Sequence, residues 1–220
     1  MSRGSQSSVF STQNATHPTD SAGNAGFRCF ESDVIINSGA LQSVTILIAG
    51  GQHNTTLTAN RTYRIDGEVA AGGSNSVSVL FEDSALTINL AIPQVPPFSL
   101  SNKVSVYGVG MIAHWSTRPC HGDGRRAEVV RLLHRSSTAN PVEFHADYVL
   151  SSRITSTLSL NALSVGNIIS LRGYVIGHNL ESNTWEIGVS AIQFMHCTPQ
   201  LRRSRRQRGY APISMDQLLR

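Results

Sequence analysis

The chain has 220 residues, of which 40% are hydrophobic and 15% charged, with a formal net charge of +4. This is enough apolar material for one large or two small cores, and no apolar run approaches the ~20 residues of a membrane-spanning helix. The sequence contains no G-x-S-x-G, no P-loop and no H-E-x-x-H pattern, so it predicts a protein that is not an enzyme.

Residues 1–28 are rich in Ser, Thr, Asn, Gly and Ala without periodicity, which predicts a disordered arm. They lack a continuous apolar segment of the kind a secretion signal needs, so an intracellular protein is expected. From Cys29 onward the signals are almost entirely β. ALQSVTILIAG (40–50) is β-branched and short. In NRTYRIDGEVAAGG, Tyr63, Ile65, Gly67 and Val69 share one strand face. SVSVLFED (76–83) alternates Val77, Val79 and Phe81, and Pro93, Pro96 and Pro97 mark a connector.

The second half opens with KVSVYGVGMIAHW (103–115), followed by the polar loop STRPCHGDGRR (116–126) and the strand AEVVRLLHRS. A further strand, PVEFHADYVLS, precedes an ambiguous connector at 151–164. Two alternating strands follow: one runs through Gly173, and the other spans Trp185–Phe194 after a turn at Gly177–Asn179. Gly67, Gly108 and Gly173 each sit inside a strand, where glycine marks a bend or a close backbone approach. Strands coiled in this way build small closed barrels.

From residue 103 the order is strand, strand, strand, connector, strand, strand. The stretch LSVGNIISLRGYVIG…TWEIGVSAIQF resembles the last two strands of single-stranded nucleic-acid-binding OB-fold domains. The likeness rests on Leu163, Gly166, Ile169, Leu171 and Gly173, with Trp185, Ile187, Val189 and Ile192 in the closing strand. It implies an all-β, OB-like antiparallel barrel over 103–194, with additional N-terminal strands forming a partial barrel over 40–92. The expected division is thus an arm (1–28), a β domain (29–197) and an Arg-rich tail (198–220). The unequal gaps between the glycines gave no ground for claiming a repeat. A jelly-roll sandwich, as in a virus coat subunit, fits the same number of strands, and a protein–protein scaffold fits the nearly neutral body.

The charge is placed unevenly. Arg202, Arg203, Arg205, Arg206, Arg208 and Arg220 stand against Asp216 in the last twenty residues, leaving residues 1–200 near −1. Such an Arg cluster serves as a nucleic-acid patch or a nuclear import signal. Single-strand binding needs aromatic faces for bases and cations for phosphates. Tyr107, Trp115, Phe144, Tyr148, Tyr174 and Trp185 supply the first, although each has an alternative place in the barrel core. Arg118, Arg125, Arg126, Arg131, Arg135, Arg153 and Arg172 supply the second. Strand alternation puts Arg172 and Tyr174 on one face, opposite Leu171 and Val175, which makes them the leading pair. The expected partner is single-stranded nucleic acid, with further protein contacts or self-association, no membrane and no cofactor.

Cys29, Cys120 and Cys197 are widely spaced and form no C-x-x-C pair, which suits a reducing compartment. Adjacent Cys120 and His121, with His114 nearby, lack the separation of a zinc site, so no metal is expected.

Overall fold

The computed structural model describes residues 6–11, 14–16, 26–71, 76–92, 95–119, 126–136, 142–158 and 163–195. The first half contributes β1 (Gln6–Ser11), β2 (Asn14–Thr16), β3 (Phe27–Asn37), β4 (Leu41–Gly51), β5 (Thr62–Ala70), β6 (Val79–Glu82) and β7 (Ile88–Asn89). The second half contributes β8 (Ser105–Pro119), β9 (Arg126–Arg135), β10 (Glu143–Leu150), β11 (Ile168–Asn179) and β12 (Thr184–Phe194), with a one-turn helix α1 (Ser152–Thr155) after β10. Among the described residues, no helix is long and apolar enough to cross a membrane.

Strands β8 to β12 close into a ring. β8 pairs with β9 and β9 with β10, both antiparallel. β10 then pairs with β12, β12 with β11, and β11 returns to β8. Five strands in this order form the OB-like closed barrel that the sequence predicted, and ring closure does not favour the sandwich alternative. One detail differs from the expectation of an all-antiparallel barrel: β10 and β12 run parallel. The connector through α1 and the β11–β12 hairpin bring the last strand back beside β10 in its own direction.

β8 serves two neighbours along its length. Its first part, Ser105–Met111, pairs with β11, and its later part, Met111–Pro119, pairs with β9. A register shift between Ile112 and His114 bends the strand between the two tasks. On β11 the bend is made by close approach. A Cβ built on Gly173 would lie well inside 3 Å of the Gly188 carbonyl oxygen on β12. Only glycine lets the two backbones meet there. Ser190 is left over in the adjacent register shift, and its hydroxyl donates to the Arg172 carbonyl at 3.1 Å, which pins the backbone at this point.

The first half forms a curled sheet with the same order of pairing. β3 and β4 are antiparallel, β4 and β6 parallel, and β6 and β5 antiparallel. β1 pairs with β5, and β2 with β3. Two strands therefore form inside the segment expected to be a disordered arm. Their sequence has no apolar alternation of its own, and the ladder partners are far away along the chain. The expected tail, residues 198–220, lies outside the described residues.

The two halves share one continuous core. Ile36, Ile48, Ile65 and Leu80 meet Ile112, Leu132, Tyr148 and Ile187 in it. At the junction, Trp185 Nε1 donates to Ser78 Oγ at 2.8 Å and Asn183 Nδ2 donates to the Ser76 carbonyl at 2.8 Å. Asn102 binds the Asn37 backbone twice, accepting from its N–H and donating to its carbonyl, each at 3.0 Å.

Gly173→Val is expected to destabilise the protein by about 1–3 kcal/mol through overpacking against the β12 backbone. Ala191→Val on the exposed side of β12 should cost less than about 0.5 kcal/mol. Urea unfolding midpoints of the two variants check the contrast.

Candidate functional site

Along β11 the side chains alternate, with Leu171, Gly173 and Val175 buried and Arg172 and Tyr174 exposed. The ladder with β8 sets Arg172 opposite Tyr107 and Tyr174 opposite Ser105. The Arg172 guanidinium carbon lies 5.9 Å from the centroid of the Tyr107 ring, a cation–π arrangement. This contact orients the guanidinium without neutralising its charge. The Tyr174 ring is 50% exposed beside it. Tyr107, Arg172 and Tyr174 thus form one outward cluster, combining flat π surface with a cation.

Behind this cluster is a buried polar pair. The Tyr148 hydroxyl is 3.0 Å from His134 Nε2, and His134 Nδ1 is 3.1 Å from the Val109 carbonyl. A carbonyl only accepts, so Nδ1 carries the proton, and neutral Nε2 accepts from the Tyr148 hydroxyl. Burial pushes the His134 pKa down to about 4, against a smaller upward pull from the Val109 carbonyl. The same burial raises the Tyr148 pKa. Gly108, next to Tyr107, leaves the room that this pair fills, since a Cβ there would collide with the Tyr148 hydroxyl. A cavity of about 70 Å³ lies alongside, lined by Tyr107, Gly108, His134, Tyr148 and Trp185 and by Val34 and Ile46 of the first half.

The other predicted cations have different fates. Arg131 is gripped by Asp147 on the neighbouring strand, with Nε to Oδ1 at 2.7 Å and Nη2 to Oδ2 at 2.8 Å. That hydrogen bond raises the Arg131 pKa further. Arg118 pairs with Glu186 on β12, whose register neighbour on β10 is Asp147. The face of β9 and β10 therefore carries its own counter-charges. The alternation of β10, which turns Asp147 to the same side as Arg131, held this signal in the sequence. Arg126 and Arg135 are exposed at the ends of β9, and Arg153 is exposed on α1. Arg125, Arg202, Arg203, Arg205, Arg206 and Arg208 lie outside the described residues, as do Cys120 and His121.

Three aromatics expected to stack on bases serve the core instead. Trp185 is only 8% exposed and its N–H is taken by Ser78, so it offers no free face. Tyr148 is fully buried, and Phe144 stacks on His134 with ring centroids 5.1 Å apart. Trp115 is half-buried against the core, with its Nε1 enclosed and without a hydrogen-bond partner among the described residues. Alternation assigns each of these rings to a face, but barrel closure decides which face is inside. Among the described residues, no group of His, Cys, Asp and Glu side chains is placed to hold a metal ion.

No family model matches the chain, and no curated protein matches it. Among solved structures it is similar to the wild-type single-stranded DNA binding protein from Thermus aquaticus, with a TM-score of 0.51 and 11% identity. That match covers 90% of this chain and 96% of the other. A deletion mutant of the same Thermus protein gives a TM-score of 0.50 at 11% identity, over 89% of this chain and 96% of that one. At this identity the likeness is one of fold.

The His134 pKa lies below its usual 6.5, so its contribution to stability is complete above pH 6.5. It is lost as pH falls toward about 4, because the unfolded chain then binds a proton that the folded chain refuses. The loss is on the order of 3 kcal/mol. Urea midpoints of wild type and His134→Gln at neutral and acidic pH should show the wild type losing more stability across this interval than the variant.

Proposed function

We propose that this protein binds single-stranded nucleic acid without catalysis, using the outward face of β8 and β11. The observation that carries this reading is the cluster of Tyr107, Arg172 and Tyr174 on a closed OB-like barrel. An exposed ring next to an oriented guanidinium offers a base a stacking surface and the adjacent phosphate a counter-charge. Stacking contributes about 1–3 kcal/mol per base and tolerates any base, because every base has a π face. The fold shared with the Thermus single-stranded DNA binding protein supports the same class of partner. The reading puts the strand on the β8–β11 seam at Arg172, since Arg118 and Arg131 are already matched by Glu186 and Asp147.

The Arg-rich segment 202–208 adds long-range attraction, making the initial encounter electrostatic and weaker in salt. An intracellular setting, including the nucleus, fits that segment as an import signal and fits three widely spaced cysteines with no C-x-x-C pair.

Fluorescence anisotropy with a labelled oligonucleotide tests the site. Arg172→Ala/Tyr174→Ala is expected to weaken binding roughly 10- to 100-fold, as loss of one stacked base and one phosphate contact requires. Arg172→Ala alone should reduce the dependence of log K on log salt by about one counterion. Unchanged affinity in the double variant would refute the site, and no binding by the wild type would refute the function.

A further inference from the structure

The outward side chains of β8, β11 and β12 stand in rows across the seam. The ladders set Tyr107, Arg172 and Ala191 side by side, and two residues further along they set Val109, Ser170 and Gln193 in the same way. Ile168 pairs with Met111, and the Met195 N–H donates to the Ile168 carbonyl at 3.3 Å, which carries the β11–β12 register one step further. Met111, Ile168 and Met195 are therefore a third row. Residues paired across ladders project to the same side, so the three rows share the face that carries Arg172 and Tyr174.

The third row is apolar, yet it faces solvent: Met111 is 42% exposed, Ile168 39% and Met195 43%. Their chain neighbours Ile112 and Ile169 are fully buried, so the core is filled without them. Adjacent large apolar side chains left outside a closed barrel mark a surface that meets something else. Four strand residues, about 13 Å, separate this row from Arg172, too far for the base beside Tyr174 to reach. Ser170, between them, is small and buried. The path carries no like charge for a polyanion, because residues 105–119, 168–179 and 187–195 contain neither Asp nor Glu. The neighbouring strands β9 and β10, by contrast, carry Glu128, Glu143 and Asp147.

We propose that the strand held at Arg172 and Tyr174 continues along β11 to Met111, Ile168 and Met195, which take a further base on their apolar surface. This rests on the function proposed above and adds the direction of the footprint and a second platform. Base planes pack on apolar side chains as well as on rings. Methionine is unbranched and polarizable and moulds to any base, so this platform tolerates sequence as a stacked ring does. Arg172 supplies the phosphate contact, and the third row supplies base contact alone.

Two measurements on the full chain test this. In fluorescence anisotropy with a labelled oligonucleotide, Met111→Gln/Ile168→Thr is expected to weaken binding roughly 5- to 30-fold, the worth of one packed base. The slope of log K against log salt should stay as in wild type, since no phosphate contact is removed. In the unaltered protein, peroxide converts exposed methionines to sulfoxides, and saturating oligonucleotide should slow this at Met111 and Met195 about 5-fold by peptide mass mapping. Unslowed oxidation at both residues overturns the extension even where the double variant binds weakly. Oxidation slowed by raising the protein concentration alone makes the row a contact between copies and likewise overturns it. In either case Arg172→Ala/Tyr174→Ala still weakens binding if the first site is right. Absence of binding by the wild type overturns both readings.

Discussion

The contact on which the rest of the structure depends is the near collision of two backbones at Gly173. With no Cβ in the way, the Gly188 carbonyl of β12 presses against β11, and β11 coils enough to swing back to β8. Closure of the ring follows from that bend, and closure removes free edges from the second half. It also decides inside and outside. Leu171 and Val175 are sealed in the core, and Arg172 and Tyr174 turn outward at the seam between β11 and β8. Any side chain at position 173 would loosen the seam that assembles the cluster.

Charge in this molecule is sorted by geometry more than by count. Arg131 meets Asp147 on the neighbouring strand and Arg118 of β8 meets Glu186 of β12, so their guanidinium groups serve the barrel's own cohesion. Arg172 meets an aromatic ring instead, which orients it and leaves its charge available. The same residue type thus does different work on two faces of one barrel. Net charge alone, near −1 for residues 1–200, points away from a nucleic-acid partner; local placement points toward one. The buried His134–Tyr148 pair supports this arrangement from behind, filling the space that Gly108 leaves next to Tyr107.

Much of the fold was legible in the chain because its signals are local. Alternation located the strands of the second half, and the glycines at 67 and 173 announced the close backbone approaches made there, while Gly108 makes room for the Tyr148 and His134 side chains. The pairing of Arg172 with Tyr174 on one exposed face came from alternation alone. Other features were not legible. β1 and β2 have no periodicity of their own and exist through ladders to β5, β8 and β3. Trp185 looked like a stacking platform until Ser78, 107 residues earlier, supplied its hydrogen-bond acceptor.

What the sequence determined by itself was the kind of strand, its bends and which side chains share a face, since all three are set by neighbours along the chain. What only the tertiary structure decided was which face lies inside, which arginine finds a carboxylate, and that β10 and β12 run parallel. Those outcomes depend on contacts between residues tens of positions apart. Such contacts come into being only when the ring closes and the backbone entropy of bringing distant segments together is offset by the core they bury.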